Sequence, residues 1–194
     1  MDRVRELIKE VKEYGILNEV PIMSEDTINE IVKIIKENNV KTILELGTAI
    51  GYSTLCFASS GIDRIVSIER DELREQIAVK NVQNSGLNNI ELLLADALET
   101  RISDKFDMII IDAAKSQNMK FFQKYENNLN DGGIIIIDNL SFHGYVGKSN
   151  EIKSKNLRQM VKKIERFISF LDNLEGYDVK YIEVGDRLAV CKKN

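Results

Sequence analysis

The sequence predicts an α/β fold with a mostly parallel, doubly wound sheet of seven strands. Short runs of Ile, Leu and Val recur along the chain, and helical patterns separate most of them. Such continuous apolar runs are typical of parallel strands that helices cover on both faces. The C-terminal segment, residues 177–193, indicates two strands joined by a tight Gly-Asp turn, so we expect an antiparallel hairpin at one edge.

Two extra helices precede the first strand. The first is predicted over about residues 2–14, and the second begins after Ser24, a residue type favoured at the N-cap. The elements that follow are predicted, in chain order, as a strand at 41–46, a helix at 52–60, a strand at 64–69, a helix at 71–84, strands at 89–95 and 106–112, a helix at 116–128, a strand at 132–138 and a helix at 153–172. We predict one domain over residues 1–194, with N-terminal helices at 1–38 and an α/β core at 39–194.

The composition excludes several classes of protein. The 194 residues are 43% hydrophobic and 30% charged, and no apolar run approaches the ~18–20 residues that a membrane-spanning helix needs. The N-terminus is charged throughout, unlike a signal peptide, and Cys56 and Cys191 are far apart in sequence. We therefore expect a cytoplasmic protein with reduced thiols and no membrane partner. One His and two Cys are too few for the usual zinc ligand sets.

A glycine-bearing turn follows the first predicted strand. Gly47 and Gly51 lie in LELGTAIGYSTL (44–55), where glycine lets a ligand approach the backbone closely. The turn lacks the spacing of a dinucleotide or P-loop phosphate site. Glu69 ends the second strand, where a carboxylate can accept hydrogen bonds from both ribose hydroxyls of an adenosine, and Asp96 follows the third strand, where it can meet an adenine edge. Each feature alone also fits a structural role, but together they favour S-adenosylmethionine, an adenosyl ligand without phosphates.

Oxygen-bearing side chains also follow the fourth and fifth strands. Asp112 ends one, and the pair Asp138-Asn139 ends the next, so three oxygen ligands can converge at one edge of a parallel sheet. Such hard donors suit Mg²⁺, although separate helix caps are the alternative interpretation. Lys115 can face the same pocket and serve as a base, or it is a surface residue at a helix start. His143 is either a substrate contact or a loop residue.

Four segments, ELGTAIGYST, IERD, IDAAKSQ and DNLSFHGYVG, resemble the metal-dependent O-methyltransferase family that includes catechol and caffeoyl-coenzyme A methyltransferases. The resemblance implies a Rossmann-like S-adenosylmethionine-dependent methyltransferase fold and a homodimer. It implies Mg²⁺ or another divalent cation at Asp112, Asp138 and Asn139, with Asp112 and Lys115 as catalytic residues. The implied cofactor contacts are Met23, Glu45, Gly47, Ser53, Glu69, Asp96, Ala97 and Asp112. One departure is Asn118, which stands where an aromatic residue is common in relatives.

The last third of the chain contains a basic segment. Between residues 148 and 166, seven basic residues outnumber two acidic ones. The stretches KNLRQMVKKIERFISFL and VGDRLAVCKK are similar to the bacterial branch of the family that methylates 5-hydroxyuridine at the tRNA wobble position to 5-methoxyuridine. On this interpretation tRNA is the partner, and its phosphates contact Lys153, Lys155, Arg158, Lys162, Lys163 and Arg166. The alternative is a small catechol or phenolic substrate, with these side chains on the solvated face of a helix.

Overall fold

The computed structural model describes residues 2–194, which form six α-helices and a mixed sheet of seven strands. The helices are α1 (Asp2–Leu17), α2 (Glu25–Glu37), α3 (Tyr52–Ala58), α4 (Glu72–Ser85), α5 (Asn118–Tyr125) and α6 (Lys155–Asp172). The strands are β1 (Thr42–Leu46), β2 (Arg64–Glu69), β3 (Ile90–Leu94), β4 (Phe106–Ile111), β5 (Leu129–Ile137), β6 (Tyr177–Ile182) and β7 (Leu188–Lys193). Their order in the sheet is β3-β2-β1-β4-β5-β7-β6. The predicted α/β class with an antiparallel C-terminal hairpin is confirmed.

The chain divides into two compact units, the first ending at Arg101 and the second spanning Ile102–Asn194. The first unit contains α1 to α4 and β1 to β3, and the second contains the remaining elements. The single domain over residues 1–194 stays a prediction. None of the helices within residues 2–194 combines the length and the apolar character that a membrane crossing requires.

In the first unit, the three strands pair in parallel, so their carboxyl ends lie at one edge. Leu46 of β1 is level with Ile68 of β2, and Glu69 is level with Leu94 of β3. The turn after β1, the end of β2 and the loop after β3 are therefore neighbours. Ser24 caps α2 as predicted, because its side chain accepts a hydrogen bond from the Thr27 amide.

In the second unit, β4 and β5 pair in parallel, with Ile111 level with Ile137. Asp112 and Asp138 directly follow these two strands, so they lie side by side at the same edge of the sheet. β7 lies antiparallel between β5 and β6 and completes the predicted hairpin.

Aromatic packing seats α6 in the second unit. The Phe122 ring of α5 lies edge-on to Phe167 and Phe170 of α6 and to Tyr177 of β6, with centroids 5.5 to 6.2 Å apart. Phe122 and Phe167 are fully buried, and removal of a ring of this size from a core typically costs about 3–5 kcal/mol of unfolding free energy. The apolar face of α6 is thus held firmly, and its opposite face points to solvent.

Several predicted elements differ in detail from the structure: α1 ends at Leu17 rather than near residue 14, and β5 begins at Leu129 rather than at 132. The helix predicted at 116–128 consists of α5 flanked by 3₁₀ turns at Lys115–Gln117 and Glu126–Asn128. The hairpin connection is five residues, 183–187, rather than a two-residue turn. The connection is long because it also serves the loop after β5: the carbonyls of Asp186 and Arg187 accept hydrogen bonds from the amides of Ser141 and Leu140.

Candidate functional site

In the first unit, the Glu69 carboxylate is held rigidly by backbone amides. One carboxylate oxygen accepts from the amides of Arg70 and Asp71, each at 2.9 Å, and the other accepts from the Ala49 amide at 2.8 Å. These bonds tie the end of β2 to the turn after β1. The second oxygen retains acceptor capacity, because a carboxylate oxygen can accept two hydrogen bonds. A carboxylate fixed in this way can accept hydrogen bonds from the hydroxyl groups of a ligand.

The turn after β1 needs residues that tolerate left-handed backbone. Gly47 has φ 108° and Gly51 has φ 86°, values that residues with a side chain rarely adopt. Gly51 also lies against α4, where a Cβ atom would meet that of Ala78 at 3.5 Å. Since that distance is ordinary van der Waals contact, the positive φ is what requires glycine at Gly51.

Glu45 lies in the middle of a buried network of hydroxyl groups. Its carboxylate accepts hydrogen bonds from Ser53 at 2.6 Å, Thr54 at 2.5 Å and Ser67 at 2.6 Å, and no part of Glu45 is exposed. A direct contact from a bound cofactor would require this network to move. The contact predicted for Glu45 therefore stays a prediction, while its observed role is to hold α3 against β1 and β2.

The other predicted cofactor contacts of the first unit differ in exposure. Met23, Ser53 and Ala97 are buried, and Asp96 is exposed. One Asp96 carboxylate oxygen accepts from the Leu98 amide at 2.7 Å, which shapes the loop after β3. We call Gly47, Glu69, Asp96 and Ala97 the nucleoside cluster, because these residues follow or end three neighbouring strands.

In the second unit, the structure brings together Asp112, Lys115, Asp138 and Asn139, which we call the acidic cluster. The Asp138 amide donates to the Ile111 carbonyl at 3.2 Å, next to Asp112. The Lys115 Nζ donates to an Asp112 carboxylate oxygen. Asn139 has φ 63° and donates its amide to the Asp138 carboxylate at 2.6 Å, so the loop turns sharply after β5.

The acidic cluster carries an excess of buried negative charge. Burial raises the pKa of Asp138 from 3.8 to about 7, and the Asp112 charge adds to the rise; Lys115 and the Asn139 amide oppose it. Asp138 is only 2% exposed. A carboxylate in this position gains from a divalent cation, and two carboxylates with an amide are the oxygen donors such a cation prefers. Within residues 2–194, no group of three or more His, Cys, Asp or Glu side chains is placed to hold a metal ion; the donors of the acidic cluster are two carboxylates and the Asn139 amide.

The buried side chain of Asn118 stands at the start of α5. It is 1% exposed, and neither its side-chain nitrogen nor its oxygen has a partner among the described residues. It lies one helical turn beyond Lys115. A buried amide left unpaired is costly, so this position carries a polar group that packing alone does not explain.

The basic residues of the last third do not all play the same part. Lys155, Lys162 and Arg166 are exposed and, at positions i, i+7 and i+11 of α6, share the face opposite its buried residues. Lys153 and Lys163 are exposed beside that face. Arg158 instead is half-buried and donates to the carbonyls of Ile152 at 2.9 Å and Lys153 at 3.4 Å. Part of its guanidinium is thus used to hold the segment before α6.

Sequence reasoning missed three groups that shape these clusters. The hydroxyls of Thr54 and Ser67 fix Glu45, and Asp186 holds the loop after Asn139. A carboxylate inside the apolar strand TILEL was a signal that buried donors must surround Glu45. No comparable signal pointed to Asp186, because its partners lie more than forty residues away in sequence.

Comparisons with known proteins agree with the fold. The O-methyltransferase family model matches residues 2–194. The crystal structure of a "putative caffeoyl-CoA O-methyltransferase" from Staphylococcus aureus is 39% identical with a TM-score of 0.90, covering 96% of this chain and 92% of that one. Caffeoyl-CoA O-methyltransferase of Populus kitakamiensis is 26% identical over 195 residues, 94% of this chain and 82% of the relative. An O-methyltransferase from Bacillus cereus in complex with SAH, 24% identical with a TM-score of 0.84 over 97% of this chain and 91% of that one, shares the fold. The chain belongs to the O-methyltransferase family.

Proposed function

We propose that this member of the family transfers the methyl group of S-adenosylmethionine to the 5-hydroxyl of 5-hydroxyuridine at the tRNA wobble position, with the help of a divalent cation such as Mg²⁺. The observation that carries the enzymatic part is the acidic cluster, in which a buried carboxylate, a half-buried carboxylate, an amide and a lysine follow two paired strands. The RNA part rests on the exposed basic face of α6.

Glu69 supports the choice of cofactor. Its carboxylate is held in place by three backbone amides, so it can accept ribose hydroxyls without reorganising. The turn after β1 lies at the same edge of the sheet, and its sequence lacks the glycine spacing of a phosphate-binding loop. These features fit an adenosyl group that lacks phosphates.

Asp112, Asp138 and Asn139 would hold the cation, and Lys115 would act on the substrate. When bound, a divalent cation supplies Lewis acidity, which lowers the pKa of a coordinated hydroxyl. Lys115 is the basic side chain of the cluster, and Asp112 orients its Nζ. We assign it to the substrate hydroxyl, either to take the proton or to stabilise the resulting anion.

A small catechol or phenolic substrate is the second candidate. The Populus relative, by its name, acts on a caffeoyl thioester, and the same oxygen chemistry would serve a diol. The exposed cations of α6 favour RNA over such a substrate, because a small phenol needs no extended cationic face.

Methylation assays on the purified enzyme test the proposal. Wild-type protein with S-adenosylmethionine and Mg²⁺ should convert 5-hydroxyuridine in tRNA to 5-methoxyuridine, as measured by nucleoside mass spectrometry, and EDTA should cut turnover by orders of magnitude. Methylation of catechol with no methylation of tRNA at low salt would replace the tRNA substrate with the second candidate. Full activity in EDTA would remove the cation from the proposal.

A further inference from the structure

A short loop after the acidic cluster contains three adjacent aromatic rings, two of them exposed. We call residues 141–147 the aromatic loop. Its Phe142 ring lies 5.4 Å from the His143 ring and 6.5 Å from the Tyr145 ring, centroid to centroid. Tyr145 is 42% exposed, His143 is exposed and Phe142 is half-buried. Two exposed rings packed against a half-buried third mark this loop as a surface for binding.

The aromatic loop is held from one side by the β6–β7 connection. The Asp186 carboxylate accepts hydrogen bonds from the Ser141 hydroxyl and from the His143 amide, the latter at 2.9 and 3.0 Å to its two oxygens. Residues Phe142, His143 and Gly144 all have positive φ, between 46° and 77°, so the chain needs such anchors to keep this shape.

The other end of the loop is tied to α6. The Gly147 amide donates to the Glu165 carboxylate at 2.9 Å. Glu165 precedes Arg166, which belongs to the exposed basic face together with Lys155 and Lys162. This hydrogen bond ties the backbone of the aromatic loop to the residue next to Arg166, within one unit.

We propose that the aromatic loop stacks on unpaired bases that flank the methylated nucleotide, while the basic face of α6 binds the phosphates of the same strand. This inference rests on the proposed RNA substrate and names how that substrate is recognised. Exposed rings beside cations are the combination that binds single-stranded nucleic acid, since any base offers a face for stacking and every linkage a negative charge. In a duplex the bases are already stacked on each other, so the rings would add nothing there.

Tyr145→Leu is the decisive variant, with Tyr14→Leu as its matched control. Tyr14 is similarly exposed, at 44%, but lies on α1 outside the aromatic loop. Affinity is measured by fluorescence anisotropy for an RNA hairpin with a seven-nucleotide loop and for an RNA duplex of equal length. Stacking on one base corresponds to roughly a 5- to 150-fold change in affinity. We expect Tyr145→Leu to weaken binding of the hairpin by at least about fivefold, to leave duplex binding unchanged, and Tyr14→Leu to change neither.

The salt dependence of RNA binding distinguishes the contribution of the aromatic rings from that of the cations. Loss of stacking should lower hairpin affinity equally at every salt concentration, so Tyr145→Leu keeps the wild-type slope of log affinity against log salt. The double variant Lys162→Gln/Arg166→Gln should instead flatten that slope.

Four results would overturn the inference. Equal weakening of hairpin and duplex, or wild-type hairpin affinity in Tyr145→Leu, would remove the stacking role and leave tRNA methylation standing. A raised KM for catechol in Tyr145→Leu with unchanged RNA binding would assign the ring to a small aromatic substrate or another partner. Failure of the wild-type enzyme to bind the hairpin at low salt would overturn the RNA substrate and the stacking together.

Discussion

Asp138 is a carboxylate whose ionisation weakens the folded protein. Burial and the charge of Asp112 raise its pKa to about 7, from an ordinary value of 3.8. A carboxyl with a raised folded pKa contributes stability below pH ~4, and this contribution is lost as the pH rises through about 7. The free energy of unfolding is therefore lowered in the pH range where the acidic cluster must be ionised to bind a metal.

The prediction for Asp138 concerns pH and metal together. In metal-free wild-type protein, the melting temperature should fall between pH 5 and pH 8 relative to that of Asp138→Asn, which cannot ionise. Added Mg²⁺ or Mn²⁺ should raise the wild-type melting temperature more at pH 8 than at pH 5, because protons compete with the cation. Differential scanning calorimetry measures both effects. A metal-induced rise of equal size in Asp138→Asn would exclude Asp138 as a ligand.

Asn118 offers a second test at the residue scale. Both polar atoms of its side chain are buried without partners among residues 2–194, a state that typically costs about 1–3 kcal/mol. Replacement by Leu, which has the same number and branching of side-chain heavy atoms and no polar atoms, should therefore raise the unfolding free energy by about 1–3 kcal/mol in urea denaturation. A loss of stability in Asn118→Leu would show that an internal water or another hidden partner satisfies the amide in the wild-type protein.

At the scale of elements, α6 combines a buried apolar face with an exposed cationic one. Val161, Ile164, Phe167 and Leu171 are buried, whereas Lys155, Lys162 and Arg166 lie opposite them. The basic residues were predicted together from a charge count, but their surroundings differ. Arg158 has internal partners, so its contribution to the fold is separable from charge on the exposed face.

Neutralisation of single positions on α6 should separate these roles. Lys162→Gln and Arg166→Gln should each lower the salt slope of RNA binding by up to ~0.7–0.9 and leave stability nearly unchanged. Arg158→Gln should lower the unfolding free energy by about 0.5–1.5 kcal/mol per lost bond to a backbone carbonyl. Lys120 on α5 is also exposed, so Lys120→Gln is the control for loss of a positive charge outside this face. Equal salt slopes of RNA binding for wild type and Lys162→Gln/Arg166→Gln would show that this face of α6 does not bind RNA phosphates.

At the scale of the whole molecule, the family model spans both compact units, from residue 2 to residue 194. The first unit carries the nucleoside cluster and the second carries the acidic cluster, and the proposed reaction needs both. The aromatic loop and α6 also belong to the second unit. Substrate recognition as proposed is therefore concentrated in the C-terminal half of the chain, whereas cofactor recognition is concentrated in the N-terminal half.

The sequence by itself determined the fold class and the strand ends that carry polar residues. Both are local patterns: an apolar run predicts a buried strand, and the first polar residue after it marks the edge of a parallel sheet. Glu69, Asp112 and Asp138 were identified on that basis. The Ser24 cap and the left-handed turn at Gly51 are local in the same sense.

Only the tertiary structure decided how those residues are surrounded. Glu45 is buried among hydroxyls from β2 and α3, Arg158 is drawn into backbone hydrogen bonds, and Asp186 anchors a loop that precedes it by more than forty residues. The raised pKa of Asp138 likewise depends on how far packing removes it from water. Desolvation and pairing across distant segments are properties of the folded chain, and a pattern read along the sequence contains neither.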